Sequence, residues 1–328
     1  MLGNNGLYYI VDSTLSTLIN KQDLSINQKK QFLLCLEKIG IEYVEFTMSQ
    51  KLVDELECLV NFKTQNGLRI KLIINTCNQR DHLDKILQLH YPIDCINIEI
   101  DVSETELDKI IQQSISNLTY IKSISRNVET ILTIKNSFIT DKNYLAKIFL
   151  SIEDYVDRVC LVDSTGIATH TDVEDLLTLL KNTTTTQLHI GCQFYNYSSS
   201  AVYNSFIALQ NGCTYITTIL TSPYTITDFN GLVARIQTIY PESTSKYSLK
   251  TFNEFSLFNP IFTPDMDSKR LYEFMIHYLP NVIEKLQEDY ILKLNNVLRN
   301  DVSQDNDLCH KLNNDVDFSI SYILKYIN

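Results

Sequence analysis

Short apolar segments alternate with amphipathic helical patterns eight times over the first 240 residues of the chain. Apolar runs of this length are typical of strands buried on both faces, and the segments between them space their apolar residues as one face of a helix does. Eight strand-then-helix units of this size predict a (β/α)8 barrel, with an eight-stranded doubly wound sheet as the alternative. The predicted strands are Leu7–Val11, Ile41–Phe46, Leu68–Asn75, Cys95–Ile100, Val128–Ile134, Val159–Val162, Gln187–Phe194 and Thr214–Leu220.

The strand-and-helix pattern stops near Tyr240. After it, residues 268–297 have the apolar spacing of one or two helices, and residues 299–314 are polar and predict a connector. The sequence therefore predicts two parts, a barrel over residues 1–240 and a short C-terminal helical extension over residues 241–328.

The charge and the apolar content argue against two classes of partner. A net charge of −11 opposes binding to a phosphate backbone, so nucleic acid is not an expected partner. No apolar run approaches the roughly 20 residues of a membrane span, and the first residues lack the basic start and apolar core of a signal peptide. The eight cysteines form no Cys-x-x-Cys pair, which is typical of buried thiols in a reducing compartment. We therefore expect a cytoplasmic protein without membrane contact.

The most informative motif follows the sixth predicted strand. Residues 163–169 read Asp-Ser-Thr-Gly-Ile-Ala-Thr and lie between an apolar run and a helical pattern. In parallel α/β proteins ligands bind at such carboxyl ends of strands. Polar residues also follow other strands of this chain, and together they predict a concave site for a small polar ligand. The predicted substrate-binding residues are Asp12, Thr14, Glu45, Asp163, Ser164, Gln193 and Asn196.

Four segments of the chain resemble motifs of one enzyme family. Residues 10–17 resemble the family opening Asp-x-Thr-Leu-Arg-Asp-Gly, and residues 40–45 resemble its second strand, which ends in Ile-Glu. Residues 163–169 match the family's Asp-Thr-x-Gly-Ile-Ala-Thr, with Ser164 in place of the first Thr.

The fourth segment follows the seventh predicted strand. Asn196 and residues 201–205 fit the family pattern His-x-His-Asn-Asp…Ala-x-x-Asn-Ser. On these motifs the chain resembles the metal-dependent condensing enzymes and lyases that include 2-isopropylmalate synthase, homocitrate synthase and hydroxymethylglutaryl-CoA lyase. The resemblance implies a TIM barrel of the pyruvate carboxyltransferase type. It also implies a reaction that joins an acyl-CoA to a 2-oxo acid, as in amino-acid biosynthesis, or splits a related product.

The resemblance implies a divalent metal as well, which in that family polarises a 2-oxo acid carbonyl and is held by one Asp and two His. This chain has Thr17, Gln193 and Tyr195 at those positions, and Ser16 where the family has an Arg. Neutral hydroxyl, amide and phenol groups are poor ligands for a divalent ion without a carboxylate nearby. The family's glycine-rich loop would fall at residues 221–228, which contain no glycine. We therefore predict no metal and no cofactor, with Mg, Mn or Zn bound only if an altered site is active.

Lys135 and Tyr195 are the candidate catalytic residues of a metal-free reaction. A lysine whose pKa is lowered in a dry barrel mouth forms a Schiff base with a carbonyl, and a neighbouring tyrosine acts as general acid or base. The alternative is a structural lysine that pairs with Asp101 or Asp163. His189 lies four residues before Gln193, on the same strand face but about 13 Å lower, and is therefore expected towards the barrel floor.

Three functions follow from this comparison. Loss of the metal-binding residues beside a retained barrel predicts a member that is degenerate at its metal site. Such a member would act as a non-catalytic or partner subunit, in a homodimer or in a heteromer with an active family member. The alternative is an active transferase or lyase with an altered site, which takes an acyl-CoA and a 2-oxo acid. A plain binder of small molecules would use the same barrel mouth.

Overall fold

Eight parallel strands form a closed barrel in the computed structural model, which describes residues 8–18, 24–89, 91–103, 107–183, 188–220, 225–240 and 246–252. Each strand pairs with the next one in the sequence, and β8 pairs with β1. This topology excludes the doubly wound sheet. The strands are β1 (Tyr9–Asp12), β2 (Tyr43–Thr47), β3 (Lys71–Cys77), β4 (Cys95–Asp101), β5 (Glu129–Lys135), β6 (Arg158–Asp163), β7 (His189–Phe194) and β8 (Tyr215–Thr218).

A helix follows every strand within the described residues, which confirms the predicted (β/α)8 barrel. β1 is followed by two helices, of which the first has only five residues and was not predicted, because so short a segment shows no helical period. The helices are α1 (Thr14–Leu18), α2 (Ile26–Ile39), α3 (Gln50–Gln65), α4 (Arg80–Leu87), α5 (Leu107–Ile124), α6 (Lys142–Ile152), α7 (His170–Thr183), α8 (Ala201–Gln210) and α9 (Phe229–Ile239).

Local sequence signals set both ends of α2. Ser25 and Gln28 form a capping box, in which each side chain accepts a hydrogen bond from the other residue's backbone N–H. Gly40 ends the helix in the left-handed conformation with φ of 101°. A Cβ atom at this position would lie 2.3 Å from the carbonyl oxygen of Lys246, so the contact requires glycine.

The inward-facing residues of the strands form the barrel interior. Side chains alternate along a strand, so residues two positions apart share a face. Gly191 belongs to this face and leaves room for the ring of Tyr215, because a Cβ atom there would lie 2.1 Å from that ring. The interior cluster consists of Val11, Tyr43, Ile73, Cys95, Ile131, Cys160, Val162 and Tyr215.

The helices cover the outer face of the barrel with their apolar sides. In α2, Phe32, Leu33, Leu36 and Ile39 are fully buried, as the spacing of the apolar residues predicts. Each such burial contributes about 1.5–3 kcal/mol relative to an exposed side chain. Outward-facing strand residues provide the other half of this contact, and they include the fully buried Phe46 of β2.

The first compact unit of the chain continues past α9 to Phe252. The backbone N–H of Ser248 donates to the carbonyl of Ile39 at 2.8 Å, and the rings of Phe252 and Phe229 lie 5.4 Å apart. Residues 246–252 therefore pack against α2 and α9. The helices predicted between residues 268 and 297 lie outside the described residues, and the boundary at residue 240 stays a prediction. Among the described helices, none is long and apolar enough to cross a membrane.

Candidate active site at the barrel mouth

The barrel mouth, where the carboxyl ends of the strands meet, holds a chain of hydrogen-bonded polar side chains. Asn97 donates to Asn75 Oδ1 at 3.0 Å, and Thr133 donates to Asn97 Oδ1 at 2.9 Å. Asn75 in turn reaches Ser16 Oγ at 3.5 Å, and Ser16 Oγ lies 2.7 Å from Thr47 Oγ1. Asn75, Asn97 and Thr133 stand one pleat above the interior cluster, so they cover its apolar core with a polar layer.

Glu45 is the buried acid of this layer. It stands two residues after Tyr43 of the interior cluster, and its side chain also faces inward. Burial raises the pKa of Glu45 to about 7, and the nearby charge of Glu99 acts in the same direction. Hydrogen bonds from Ser13 and Asn75 oppose this shift. The mouth therefore contains a carboxyl group that changes charge near neutral pH.

Lys135 pairs with Glu99 at the rim of the mouth, with 2.6 Å between Nζ and Oε2. Burial acts to lower the pKa of Lys135, but the hydrogen bond and charge of Glu99, with smaller contributions from Tyr195 and Asp101, raise it above the ordinary value. The partner is thus Glu99, and not Asp101 or Asp163. A protonated lysine is a poor nucleophile, so this environment does not prepare Lys135 for Schiff-base formation.

Tyr195 lies on the inner face at the end of β7 and packs against the interior cluster. Burial raises its pKa, which the charge of Lys135 partly opposes, so the structure brings the two predicted catalytic residues into electrostatic contact. Gln193 stands two positions earlier on the same strand face. The ring of Tyr197 stacks beside Tyr195 at 5.6 Å, outside the mouth-facing positions.

Asp163 uses both carboxylate oxygens to hold its own loop. Oδ1 accepts hydrogen bonds from Thr165 Oγ1 and Gly166 N, and Oδ2 accepts one from Ala168 N, all at 3.0 Å. Gly166 has φ of 64°, and a Cβ atom there would lie 2.8 Å from the carbonyl oxygen of Tyr195. The motif at residues 163–169 therefore shapes the turn between β6 and α7 and fixes it against the end of β7. Ligand binding by Asp163 stays a prediction.

Asp12 and Thr14 play a similar part after β1. Asp12 follows inward-facing Val11 and therefore faces outward, where it is fully buried. It accepts hydrogen bonds from Thr14 N at 3.2 Å and Thr14 Oγ1 at 2.8 Å, and Thr14 Oγ1 accepts from Leu220 N at 3.0 Å. Burial raises the pKa of Asp12 to about 8, against these hydrogen bonds and with a small contribution from Glu45.

Ser164 and Asn196 also serve neighbouring loops. Ser164 Oγ accepts from the backbone of Asn136 at 3.1 Å, and Asn196 Oδ1 accepts from Ala201 N at the start of α8 at 3.2 Å. Asn136 has a positive φ of 61°, which such loop contacts stabilise. The predicted substrate-binding residues therefore form two groups. Glu45 and Gln193 stand on mouth-facing positions, and the others hold the loops around the mouth.

Thr17, Gln193 and Tyr195, which the resemblance pairs with the family's metal ligands, carry neutral side chains. Thr17 Oγ1 donates to the carbonyl of Ser13 at 2.8 Å, within its own helix turn, and Gln193 and Tyr195 supply an amide and a phenol. Among the described residues, no three His, Cys, Asp or Glu side chains come together in a way that could hold a metal ion. The donor set therefore does not fit a divalent ion, which prefers carboxylate or imidazole ligands.

Some mouth residues were missed by the sequence analysis. Asn97 and Glu99 both come from β4, where every second residue is polar in an otherwise apolar strand, and that alternation is the signal that identifies an inward polar face. Cys77, at the end of β3, is exposed and lies 3.1 Å from Nδ1 of His82 on α4. A cysteine at a strand end followed five residues later by a histidine gives only a weak sequence signal, because the loop geometry decides the contact.

The family model described as HMGL-like matches residues 9–221. The chain belongs to the HMGL-like family. This match confirms the resemblance carried by the four sequence motifs.

Two relatives of the HMGL-like chain are homocitrate synthases from yeasts. The mitochondrial enzyme of Schizosaccharomyces pombe is 25% identical over 244 residues, which cover 69% of this chain and 56% of the relative. The cytosolic isozyme of Saccharomyces cerevisiae is 24% identical over 267 residues, which cover 76% of this chain and 60% of the relative. The matched part thus spans little more than half the length of these relatives.

A solved structure supports the same fold. The HMG-CoA lyase from Brucella melitensis superposes on the HMGL-like chain with a TM-score of 0.63 and 14% identity. The superposition covers 79% of this chain and 99% of that structure. At this level of identity the likeness shows the fold alone.

Proposed function

We propose that this chain is a member of the HMGL-like family that does not carry out the metal-dependent condensation, and that it uses the barrel as a non-catalytic or partner subunit. The observation that carries the proposal is the donor set at the mouth. The hydroxyl of Thr17 donates to the carbonyl oxygen of Ser13. Gln193 and Tyr195 offer neutral groups where the metal site needs two imidazoles.

The other acids near the mouth do not replace the missing ligands. The carboxylate oxygens of Asp12 and Asp163 already accept hydrogen bonds from their own loops. Glu99 is paired with Lys135, so Glu45 is left as an inward carboxyl group with a pKa near neutrality. One carboxyl group of this kind binds a divalent ion weakly, because the ion must displace a proton and the nearby carboxylate of Glu99 is already paired with Lys135.

The mouth is nevertheless a built polar site. The amide and hydroxyl layer around Asn75 and Asn97 suits a small polar ligand, and the Lys135–Glu99 pair offers one charge of each sign. Binding a 2-oxo acid or an acyl-CoA here without turnover would let the chain act as a sensor or a regulatory partner of an active family member. Light scattering of a mixture with a relative that retains the Asp and both His positions tests the partner role, and two separate peaks at micromolar concentration would count against it.

Calorimetric titration with Mn²⁺ tests the loss of the metal-dependent reaction. The full chain, stripped with a chelator, is expected to show no saturable Mn²⁺ binding of micromolar affinity, with or without a mixture of 2-oxo acids. Free thiol released from acetyl-CoA in the same samples is expected to stay at the rate of a protein-free blank. An intact homocitrate synthase treated identically is the positive control. One-site micromolar binding together with thiol release would overturn the proposal.

One observation favours the second candidate, an active transferase or lyase with an altered site. Burial raises the pKa of Glu45 to about 7, which is the range in which a carboxylate works as a general base at neutral pH. In that case acetyl-CoA turnover without added metal would rise with pH through the pKa of Glu45, and Glu45→Gln would abolish it. A rate equal to the blank at every pH between about 5 and 9 eliminates this candidate, since the base would be deprotonated over much of that range.

Borohydride trapping tests the Schiff-base form of the altered site. Because Glu99 raises the pKa of Lys135, reduction in the presence of pyruvate or an aldehyde is expected to add no mass to the peptide that contains this lysine. Lys135→Arg is the matched control, since it keeps the charge and cannot form an imine. Mass that appears on Lys135 in the unmodified chain and disappears in the variant would restore the lysine to a catalytic role.

A further inference from the structure

An exposed thiol stands beside an imidazole at the end of β3. Sγ of Cys77 lies 3.1 Å from Nδ1 of His82 in the first turn of α4, so the two groups share a hydrogen bond. The thiol donates this bond when the imidazole carries its own proton on Nε2. His82 is half-buried and Cys77 is exposed, so the imidazole is held by the fold while the sulfur is open to a ligand.

The surroundings of Cys77 differ from those of most described cysteines. Five of the others are buried, namely Cys35, Cys95, Cys160, Cys192 and Cys213. Burial raises the pKa of the first four of these thiols, which keeps them protonated. The nucleophilic form of cysteine is the thiolate, and an adjacent base that takes the proton supplies it. Cys77 therefore combines the two conditions for a reactive thiol, which are access and a neighbouring base.

Contacts with α5 hold the segment that joins the two residues. Asn78 Nδ2 donates to Ser114 Oγ at 2.9 Å, and Asn78 Oδ1 accepts from Asn117 Nδ2 at 2.8 Å. The guanidinium carbon of Arg80 lies 3.8 Å from the centre of the Tyr120 ring. These contacts fix the chain between Cys77 and His82, so the pair is preorganised by the fold.

The thiol belongs to the barrel mouth. Cys77 stands two residues after Asn75 in β3, so both face inward, and Cys77 lies one pleat above the polar layer. Its register partner in β4 is Glu99, which pairs with Lys135. A small molecule bound on the polar layer would therefore have the sulfur of Cys77 at its outer edge.

The first turn of α4 adds hydrogen-bond donors next to this sulfur. Gln79 at the N-cap makes no side-chain hydrogen bond to the turn, so its side chain does not cover the N–H groups there. Backbone N–H groups at a helix start stabilise an oxygen that gains negative charge. Attack on a carbonyl carbon produces such an oxygen, whereas attack on a disulfide does not. The arrangement is therefore better suited to an acyl compound than to a disulfide.

We propose that Cys77 and His82 form a covalent acceptor site at the rim of the mouth, which takes one acyl group from a small thioester. The site uses none of the residues at positions 17, 193 and 195, so it stands whether or not the mouth binds a metal. Each chain accepts a single acyl group. The transfer therefore releases one equivalent of thiol and no continuing stream, which distinguishes it from the turnover that tests the condensation.

The transfer balances without an oxidant or a metal. His82 Nδ1 takes the proton of the thiol as Sγ attacks the carbonyl carbon, and an S–C bond forms while the carbonyl π electrons move to oxygen. The first-turn N–H groups of α4 face this oxygen. The C=O bond then forms again as the bond to the leaving sulfur breaks, and the leaving sulfur takes the proton from His82. The acyl group has moved from one thiol to another.

Acetylation of the full chain by N,S-diacetylcysteamine at pH 7, followed by mass spectrometry of its peptides, tests this site. Cys77 is expected to gain one acetyl group about tenfold or more faster than Cys58, a half-buried thiol on α3 that serves as the comparison in the same sample. His82→Gln is expected to slow the acetylation of Cys77 by about tenfold or more, because a positioned base contributes roughly 10²–10⁴ to such a step.

Two further variants separate a base from a structural histidine. His82→Ala leaves a gap that free imidazole can enter, so added imidazole is expected to restore most of the rate at Cys77, and His82→Gln, which fills the gap, is expected to gain much less. His170→Gln is the matched control, since His170 is an exposed histidine at the start of α7, and this variant should keep the rate of the unmodified chain. Circular dichroism checks that the variants are folded.

Each outcome of this experiment decides the proposal. Acetyl on Cys77 that depends on His82 and returns with imidazole in His82→Ala supports the acceptor site. An unmodified chain that gains acetyl on Cys77 no faster than on Cys58 overturns it. Equal rates in the unmodified chain and in His82→Gln also overturn it, because the imidazole would then take no proton. A loss in a folded His82→Ala that imidazole does not restore gives His82 a structural part and contradicts the base.

Discussion

The triple variant Thr17→Asp, Gln193→His and Tyr195→His is expected to bind Mn²⁺ with micromolar affinity where the unmodified chain shows no saturable binding. Residues 193 and 195 share the inner face of β7, about 7 Å apart along the strand, so two imidazoles placed there converge on one ion. The carboxylate at position 17 adds a charged ligand from α1, directly after β1. One carboxylate and two imidazoles form a donor set that divalent transition metals bind well.

A second triple variant separates a restored site from a mere gain of metal-binding residues. Thr119→Asp, Gln112→His and Tyr155→His make the same three changes at exposed positions on α5 and after α6, where the side chains do not converge. This control is expected to bind Mn²⁺ no better than the unmodified chain. If the mouth variant is folded and also fails to bind Mn²⁺, the side chains at positions 17, 193 and 195 do not converge on one ion, and the prediction is wrong.

Condensation activity is not expected to return with the metal. Ser16 still stands where the family has an arginine, and its hydroxyl is committed to Thr47 and Asn75. The positive charge that steadies an enolate is therefore missing in the triple variant. Metal affinity without acetyl-CoA turnover would show that metal ligands alone do not provide the condensation in this barrel.

The fold was predictable because strand and helix periods are local properties of the sequence. The eight predicted strands agree with β1 to β8 to within a few residues. The five-residue α1 was missed, since it is too short to show a period. The positions of the strands and of the longer helices could therefore be predicted from neighbouring residues alone, without knowledge of distant contacts.

The site was less predictable, because a strand-end position does not reveal which way a side chain points. Asp12 and Asp163 stand at strand ends as predicted, yet each follows an inward valine and so faces outward. Lys135 shows a second limit. Asp101 is its register partner in β4, but Asp101 accepts hydrogen bonds from Ser103 and Asn136, and Lys135 pairs with Glu99 one pleat lower. Which of two nearby carboxylates pairs with a lysine depends on the other partners of each carboxylate in the folded chain, and the sequence does not reveal these partners.

Stability of this chain is expected to fall as the pH rises from about 5 to 8, because burial raises the pKa of Glu45 to about 7 and that of Asp12 to about 8. In the unfolded chain both groups ionise near pH 4, whereas in the folded chain they keep their protons to higher pH. Unfolding therefore releases protons across this interval, and each released proton favours the unfolded state as the pH rises. Below about pH 4 both states are protonated, so the effect vanishes there.

Other acids do not reverse this trend within the interval. The pKa values of Asp101, Asp157 and Asp172 are lowered, in spite of partial burial for the first two, mainly by hydrogen bonds to their carboxylates. A lowered pKa gives stability that is present above the unfolded value and is lost as the pH falls through the folded value. That loss occurs below about pH 4, outside the interval in which Glu45 and Asp12 act.

Glu45→Gln is the sharpest test of this titration, since an amide stays neutral at every pH. Urea unfolding at pH 5, 6, 7 and 8 is expected to give a shallower decline for the variant than for the unmodified chain. Between pH 5 and pH 8 the unfolding free energy of the unmodified chain should fall by on the order of 3 kcal/mol more than that of Glu45→Gln, which is the contribution expected from the raised pKa of Glu45. Asp154→Asn, at an exposed position after α6, should leave the slope unchanged. Parallel curves for all three proteins would show that Glu45 does not titrate in this range.

Glu45 is a better test than Asp12 because of their different partners. Asp12 accepts hydrogen bonds at both oxygens, from Thr14 N and Thr14 Oγ1, so an amide there would lose an acceptor and disturb the loop that reaches Leu220. Glu45 accepts its hydrogen bonds from the side chains of Ser13 and Asn75, so the same substitution there changes the charge and keeps one acceptor oxygen for these side chains. A titrating Glu45 also makes the charge of the mouth depend on pH, because its ionisation places a negative charge near the Lys135–Glu99 pair. An anionic ligand of the mouth would then bind more weakly as the pH rises through 7, and Glu45→Gln would remove that dependence.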